Sequence, residues 1–273
     1  MSEKTVSPAV SDIRMQDGNI VRIESHKILR STAALAKQYA TAGYGDRFAV
    51  FAERQYDSKL TGSKLGADEA ESGMFLSCIL RPSIFSSQVG MLTPLTVVAL
   101  LTGMDDYTEE TLESGWLSDI YCNGKKIGGV SVEGKLDSYS SYEYIIISFA
   151  VKLDEKIFPP RLSDMIRKVF ENENASIPFI MAKNVLKTFF EIYSSFKNPT
   201  KYVDIYRKRC ALSGKKIKYI ENDKKYKCRV LGIDSDCRLI IEDKDKELKK
   251  ISNTKAVIVP GKIKFKNKIK KSQ

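Results

Sequence analysis

The chain has 273 residues, a formal net charge of +11, 42% apolar and 29% charged residues, a length that suits one medium domain with a small one beside it. No apolar run approaches the ~20 residues of a membrane-spanning helix, and the first 30 residues are polar, unlike a signal peptide, so a cytoplasmic protein is expected. Five scattered cysteines without Cys-x-x-Cys spacing, and one histidine, His26, argue against a disulfide framework and a metal site built from protein ligands.

In chain order, residues 20–25 alternate like a strand. Ser31 and Thr32 precede a helical stretch from Ala33 to about Ala42, where either hydroxyl can cap a free N–H of the first turn. Residues 48–52 read as a buried strand. Residues 54–72 have little apolar periodicity, and a loop of that length is more often functional than structural. Met74 to Leu80 returns to strand character. Val89 to Leu101 is apolar enough for a core helix, with Pro94 in its first turn. Trp116 to Ile120 reads as a short strand, and Asn123-Gly124 as a hairpin turn. Lys126 to Val132 is the return strand and Tyr144 to Val151 another buried one. Helices are expected at 160–173 and 179–195, the second opened by Pro178.

After Asn198-Pro199 the character changes. Residues 201–273 carry 23 Lys/Arg against 9 Asp/Glu, a net of +14, and the remainder is at −3. That contrast supports a boundary near residue 200. Short strands are expected at 217–220, 226–233, 238–242, 247–251 and 256–259, a pattern that suggests a small β-barrel. A basic module of this kind attracts nucleic acid or an acidic protein, although no nucleic-acid motif with interleaved aromatics is evident.

Three segments in order resemble the biotin–protein ligases. They are Ser31-Thr32 at the head of the first helix, Ala52-Glu53-Arg54-Gln55, and Trp116-Leu117-Ser118-Asp119-Ile120 followed by Gly124-Lys125-Lys126-Ile127-Gly128-Gly129-Val130. The likeness spans residues 20–260. It implies an α+β fold, a mixed β-sheet flanked by helices of the class II aminoacyl-tRNA-synthetase-like type, with a C-terminal SH3-like barrel. The implied division is a catalytic-type domain over 1–207, the SH3-like domain over 208–262 and a basic tail over 263–273. Too few residues precede Ile20 for the helix-turn-helix of the family's repressors, so DNA binding is not expected.

The resemblance implies ATP-dependent activation of biotin to biotinyl-5'-AMP and transfer to a lysine of a biotin carboxyl carrier protein. Ser31, Thr32 and Gln55 would serve the bicyclic urea, which needs polar partners in an apolar pocket. Trp116 would join them, and the backbone at Gly129 would admit the ligand closely. Lys126 would steady the biotin carboxylate and the charge developing at phosphorus, with Asp119 acting through Mg2+ or by orienting Lys126. Lys59 and Lys64, with Asp119, would hold ATP. A homodimer is compatible with the pattern.

The likeness thins on the nucleotide side. Where the family has a glycine- and arginine-rich loop, Ser58-Lys59-Leu60-Thr61-Gly62-Ser63-Lys64-Leu65-Gly66 stands, and lysine lacks the bidentate fork of arginine. Gly66 replaces an aromatic, Ser118 an asparagine, and Ser148–Lys152 lacks the family's asparagine. In the family this loop orders when ligand arrives. The alternatives are a homologue that binds biotin or a related acid without adenylating it, a lipoate or octanoyl transferase on the same fold, and a nucleic-acid-binding protein using the basic module.

Overall fold

The computed structural model describes residues 8–57, 59–61, 69–159, 175–221, 224–252 and 257–259. An eight-stranded sheet has the order β1-β2-β3-β4-β8-β7-β6-β5. Its strands are β1 (Ala9–Arg14), β2 (Ile20–Leu29), β3 (Phe48–Gln55), β4 (Glu71–Leu80), β5 (Leu112–Ser114), β6 (Asp119–Cys122), β7 (Lys125–Leu136) and β8 (Tyr142–Lys152). Only β2 and β3 run parallel; the other pairings are antiparallel. The mixed α+β sheet expected from the sequence is therefore present.

The central strands β4 and β8 are buried along most of their length, because both faces are covered and alternation gives way to continuous apolar sequence. On one face lies α1 (Thr32–Thr41), whose Ala36 and Ala40 pack on Val50, Ile79, Tyr144 and Ile146. On the other face, Ala49, Phe51, Met74, Leu76 and Phe149 meet α2 (Leu92–Met104) and α3 (Ile177–Tyr193). The side chains of α2 are buried nearly all round. The helical stretch Ser86–Tyr107, 22 residues long, has the length and apolarity of a membrane-spanning helix, contrary to the expectation from run length. Its apolar residues are instead spent on the protein's own core.

Pro94 sits in the first turn of α2 and Pro178 in that of α3, where a missing N–H is harmless. Asn123 and Gly124 both have positive φ, 48° and 80°, joining β6 to β7 with Cys122 opposite Lys125.

Several expectations need correction. Residues 54–72 are not all loop: β3 reaches Gln55, a 3-10 turn covers Lys59–Thr61, and β4 begins at Glu71. Trp116–Ser118 are not strand, because Gly115 N–H bonds the Asp119 carbonyl at 2.8 Å and folds that segment back. The short edge strand β1 and the helix α4 (Thr200–Lys208) were not anticipated. The expected helix at 160–173 and the basic tail lie outside the described residues.

The five late strands are β9 (Lys216–Glu221), β10 (Lys224–Ile233), β11 (Leu239–Glu242), β12 (Leu248–Ile251) and β13 (Val257–Val259). They form an antiparallel sheet in the order β12-β11-β10-β9-β13. Closing it into the expected barrel requires pairing between the edge strands β12 and β13, and none occurs among the described residues. The sheet packs against the first unit, sharing one apolar cluster through Ile217, Val230, Leu239 and Ile241. Polar ties reinforce the junction. Ser114 exchanges backbone hydrogen bonds with Arg209 and Ala211, each at 2.8 Å. Arg207 Nε donates to the Ile233 carbonyl at 2.8 Å, and Arg209 grips Asp105 bidentately at 2.8 and 2.6 Å.

Candidate functional site

The α1 face of the sheet narrows to small side chains near the ends of β3, β4, β7 and β8. Ala52, Phe75 and Ala150 form a buried apolar cluster there, with Leu29 and Leu60 packed against it. Gly129 stands opposite Ala150 in the β7–β8 register and opposite Asp119 in the β6–β7 register. A Cβ at Gly129 would lie 3.0 Å from the Leu60 carbonyl oxygen and 3.1 Å from that of Ser118. Gly129 thus permits a close approach, and what approaches it in the structure is the backbone of the 59–61 turn rather than the ligand for which that room was expected.

The polar wall is a continuous relay. Gln55, buried, accepts from the Thr32 N–H at 2.8 Å through Oε1 and donates from Nε2 to the Asp57 carbonyl. The Ser77 hydroxyl donates to Thr32 Oγ1 at 2.9 Å and is 2.9 Å from Ser148 Oγ. Ser31 caps α1, its side chain accepting from Ala34 N–H at 3.3 Å. Such a relay holds donors and acceptors in fixed directions within a low-dielectric wall.

Opposite that wall, β6 and β7 present the charged pair. Lys126 Nζ donates to Asp119 Oδ1 at 2.6 Å. Both side chains are partly exposed, at 28% and 40%, so the pair adds at most ~1 kcal/mol to stability and keeps access to solvent. The Tyr121 hydroxyl is 3.5 Å from the other oxygen of Asp119, and burial followed by the Asp119 charge raises the Tyr121 pKa. Asp119 therefore contacts Lys126 directly through one oxygen and leaves the other toward Tyr121.

A third group was missed in the sequence. Glu71 is buried, accepts from the Thr61 hydroxyl, and pairs with Lys152 Nζ at 2.7 Å. Glu71 lies opposite Gln55 in the β3–β4 register, so its bond from Thr61 fastens the 59–61 turn beside the polar wall. An acid opening an otherwise apolar strand was the signal available. Ser77 and Ser148, isolated hydroxyls in buried strands, gave a similar one.

The expected residues thus divide. Thr32, Gln55, Asp119, Lys126 and Gly129 surround one corner of the sheet, with Ser31 capping the helix beside them. Lys59 is exposed on the neighbouring turn. Lys64 lies outside the described residues. Trp116 is buried, and its indole N–H donates to the Cys237 carbonyl at 2.9 Å; its described polar contact is to the C-terminal sheet.

Comparison with solved structures places this arrangement. A mutant of biotin protein ligase from Aquifex aeolicus, in complex with biotin, superposes with a TM-score of 0.65 at 17% identity, covering 88% of this chain and 98% of that one. The same ligase in complex with biotin and ATP gives 0.64 at 17% identity, covering 88% and 99%. The chain has the biotin protein ligase fold. A biotin protein ligase-like protein of unknown function from Silicibacter sp. shares the fold with a TM-score of 0.55 at 14% identity, covering 85% and 94%.

In sequence, this ligase-fold chain is similar to the bifunctional ligase/repressor BirA of Bacillus subtilis, 27% identical over 142 residues, 51% of this chain and 43% of that protein. The BirA of Bacillus spizizenii is 26% identical over 140 residues, 50% and 43%. The matched stretch spans less than half the length of these curated relatives. No family model matches the chain.

Proposed function

We propose that the chain is a biotin–protein ligase that activates biotin with ATP to biotinyl-5'-AMP and passes it to a lysine of a biotin carboxyl carrier domain, in a cytoplasmic setting. The observation that carries this is the Lys126 amine, held 2.6 Å from Asp119 beside the Gly129 backbone. It supplies a positioned cation at the corner of the sheet where Ala52, Phe75 and Ala150 form a buried apolar cluster, which we read as the floor of the biotin site.

In this reading the apolar cluster takes the bicyclic body, and the Gln55–Thr32–Ser77 relay meets the urea. The biotin carboxylate points toward Lys126, which offsets its charge and the charge growing on the α-phosphate as the carboxylate attacks. Pyrophosphate leaves. A carrier lysine then attacks the adenylate carbonyl, releasing AMP. Lys59 and Lys64 replace the family's arginines as cations for the phosphates. Mg2+ would enter with ATP, ligated chiefly by its phosphates and offsetting their charge, and Asp119, which pairs with Lys126, is the acid that would face it. The C-terminal sheet is read as an SH3-like module.

Titration calorimetry with biotin, with and without ATP, tests the reading. Biotin binding with ATP-dependent pyrophosphate release is expected. Absence of biotin binding overturns it. Binding without turnover selects a second reading, a homologue that binds biotin without adenylating it. The lysine-for-arginine departures favour that alternative, since they weaken bidentate phosphate recognition.

A further inference from the structure

The β9–β10 hairpin presents five cations on one face. Register partners share a face of a sheet, and side chains two apart along a strand lie on the same side. Lys218 stands directly opposite Lys227, and Lys216 opposite Arg229. Lys225 continues the row on β10. All five are exposed, and among the described residues none has an ion-pair or hydrogen-bonding partner. The one acid adjacent in register, Glu242 opposite Arg229 on β11, does not pair with it. The reverse face carries the apolar packing: Ile217, Tyr219 and Cys228 are buried there, and Tyr226 stacks on Tyr219 at 5.1 Å.

Like charges directly opposed across strands oppose folding, so internal stability gives no reason for this arrangement. The proposed ligase chemistry does not use it, because these residues lie on the C-terminal sheet rather than at the Lys126 corner. We propose that this face binds the phosphate backbone of a nucleic acid without reading its sequence. Two features favour phosphates over an acidic protein. Protein interfaces are built around apolar and aromatic anchors with lysine depleted from their core, and over the paired length of β9 and β10 this face carries four lysines and an arginine beside one apolar residue, Ile220. Phosphate recognition needs only rows of cations, which two neighbouring strands supply.

The test is fluorescence anisotropy of the full chain with a labelled random-sequence DNA duplex, titrated with salt in the absence of biotin and ATP. Labelled polyglutamate of similar length serves as the acidic-protein control. Binding that weakens steeply with salt is expected. Replacing Lys216, Lys218, Lys227 and Arg229 by glutamine should reduce the slope of log K against log salt by about 3.6, at ~0.9 per lost phosphate contact. The double variant Lys218→Gln/Lys227→Gln should reduce it by about 1.8 and, relieving one opposed pair, should melt no lower than the parent. Unchanged affinity and slope in either folded variant overturns the proposal. Equal or tighter binding of polyglutamate overturns it in favour of an acidic protein partner. Biotin binding measured on the same variants should be unaltered, so failure here and failure of the ligase reading are separate results.

Discussion

The adjacent glycines of β7 face opposite sides of the sheet, and they should respond differently to one added methyl. At Gly128 a Cβ would fall 2.2 Å from the Ala150 carbonyl oxygen, a backbone atom of the central strand β8; ordinary contact begins near 3.4 Å. Relief requires moving two paired strands apart by more than ~1 Å, and overpacking of this kind costs typically ~1–3 kcal/mol, here at the upper end. Alanine restricts the unfolded chain and returns ~0.4–1 kcal/mol. The net loss for Gly128→Ala is about 2–3 kcal/mol, a fall in Tm of roughly 5–10 °C for a protein of this size. At Gly129 the nearest atoms are 3.0 and 3.1 Å away and belong to the 59–61 turn and the segment before β6, which can yield by a few tenths of an ångström. Gly129→Ala should therefore shift Tm by less than about 4 °C, the equivalent of ~1 kcal/mol. Its methyl would project toward the pocket, so biotin affinity should fall at least about tenfold, ~1.4 kcal/mol. Differential scanning calorimetry and biotin titration on both variants decide the matter. A Gly128→Ala protein that melts with the parent refutes the strand-spacing argument. A Gly129→Ala protein that binds biotin normally refutes its place at the pocket floor.

Four further outcomes are expected. Lys126→Ala should keep the parental Tm within ~2–4 °C, since its ion pair is partly exposed, while pyrophosphate release drops by ~10²–10³; unfolding would mark a structural lysine instead. Gln55→Ala leaves the buried Thr32 N–H without its acceptor, so denaturant melts should show a loss of ~1–3 kcal/mol together with weaker biotin binding. Trp116→Phe keeps most of the packing but removes the bond to Cys237, and urea melts should register ~1 kcal/mol with biotin affinity unchanged; weaker biotin binding would return Trp116 to the ligand site. Acid should weaken the C-terminal sheet through Asp234. Burial raises its pKa, but hydrogen bonds from Arg238, Asp236 and Lys250 outweigh burial and lower it overall. A depressed folded pKa means that this stability is present above the unfolded value near ~3.9 and is lost as pH falls through the folded one. The Tm of the parent should fall more steeply below pH ~4 than that of Asp234→Asn, and parallel curves would count against the Asp234 cluster as the source.

The sheet was legible where local chemistry and tertiary need agree. Asn123-Gly124 takes the backbone its turn requires, Ser31 caps the helix it precedes, and β3, β4 and β8 are apolar because both their faces are covered. The five late strands announced themselves by turn residues, whereas barrel closure depends on pairing between strands far apart in sequence. The edge strand β1 is mostly exposed, so its alternation carries little apolar contrast. Helix α4 spans nine residues with only Tyr202, Val203 and Tyr206 buried. At the site, Lys126, Asp119, Gln55 and Gly129 were readable by motif, but Glu71, Ser77 and Lys152 were not. Their roles come from cross-strand register, which a linear pattern does not display. Trp116 illustrates the converse: it stands in the motif, yet its N–H is held by a residue 121 positions away.

That distant bond, with the exchange between Ser114 and the 209–211 backbone, fastens the approach to β6 on both sides of Gly115. Asp119 follows within a few residues and takes its orientation from that anchored stretch. The 209–211 segment and the turn between β10 and β11 therefore brace the chain just ahead of the Lys126–Asp119 pair, and a chain cut after residue 207 would keep both side chains while losing both braces.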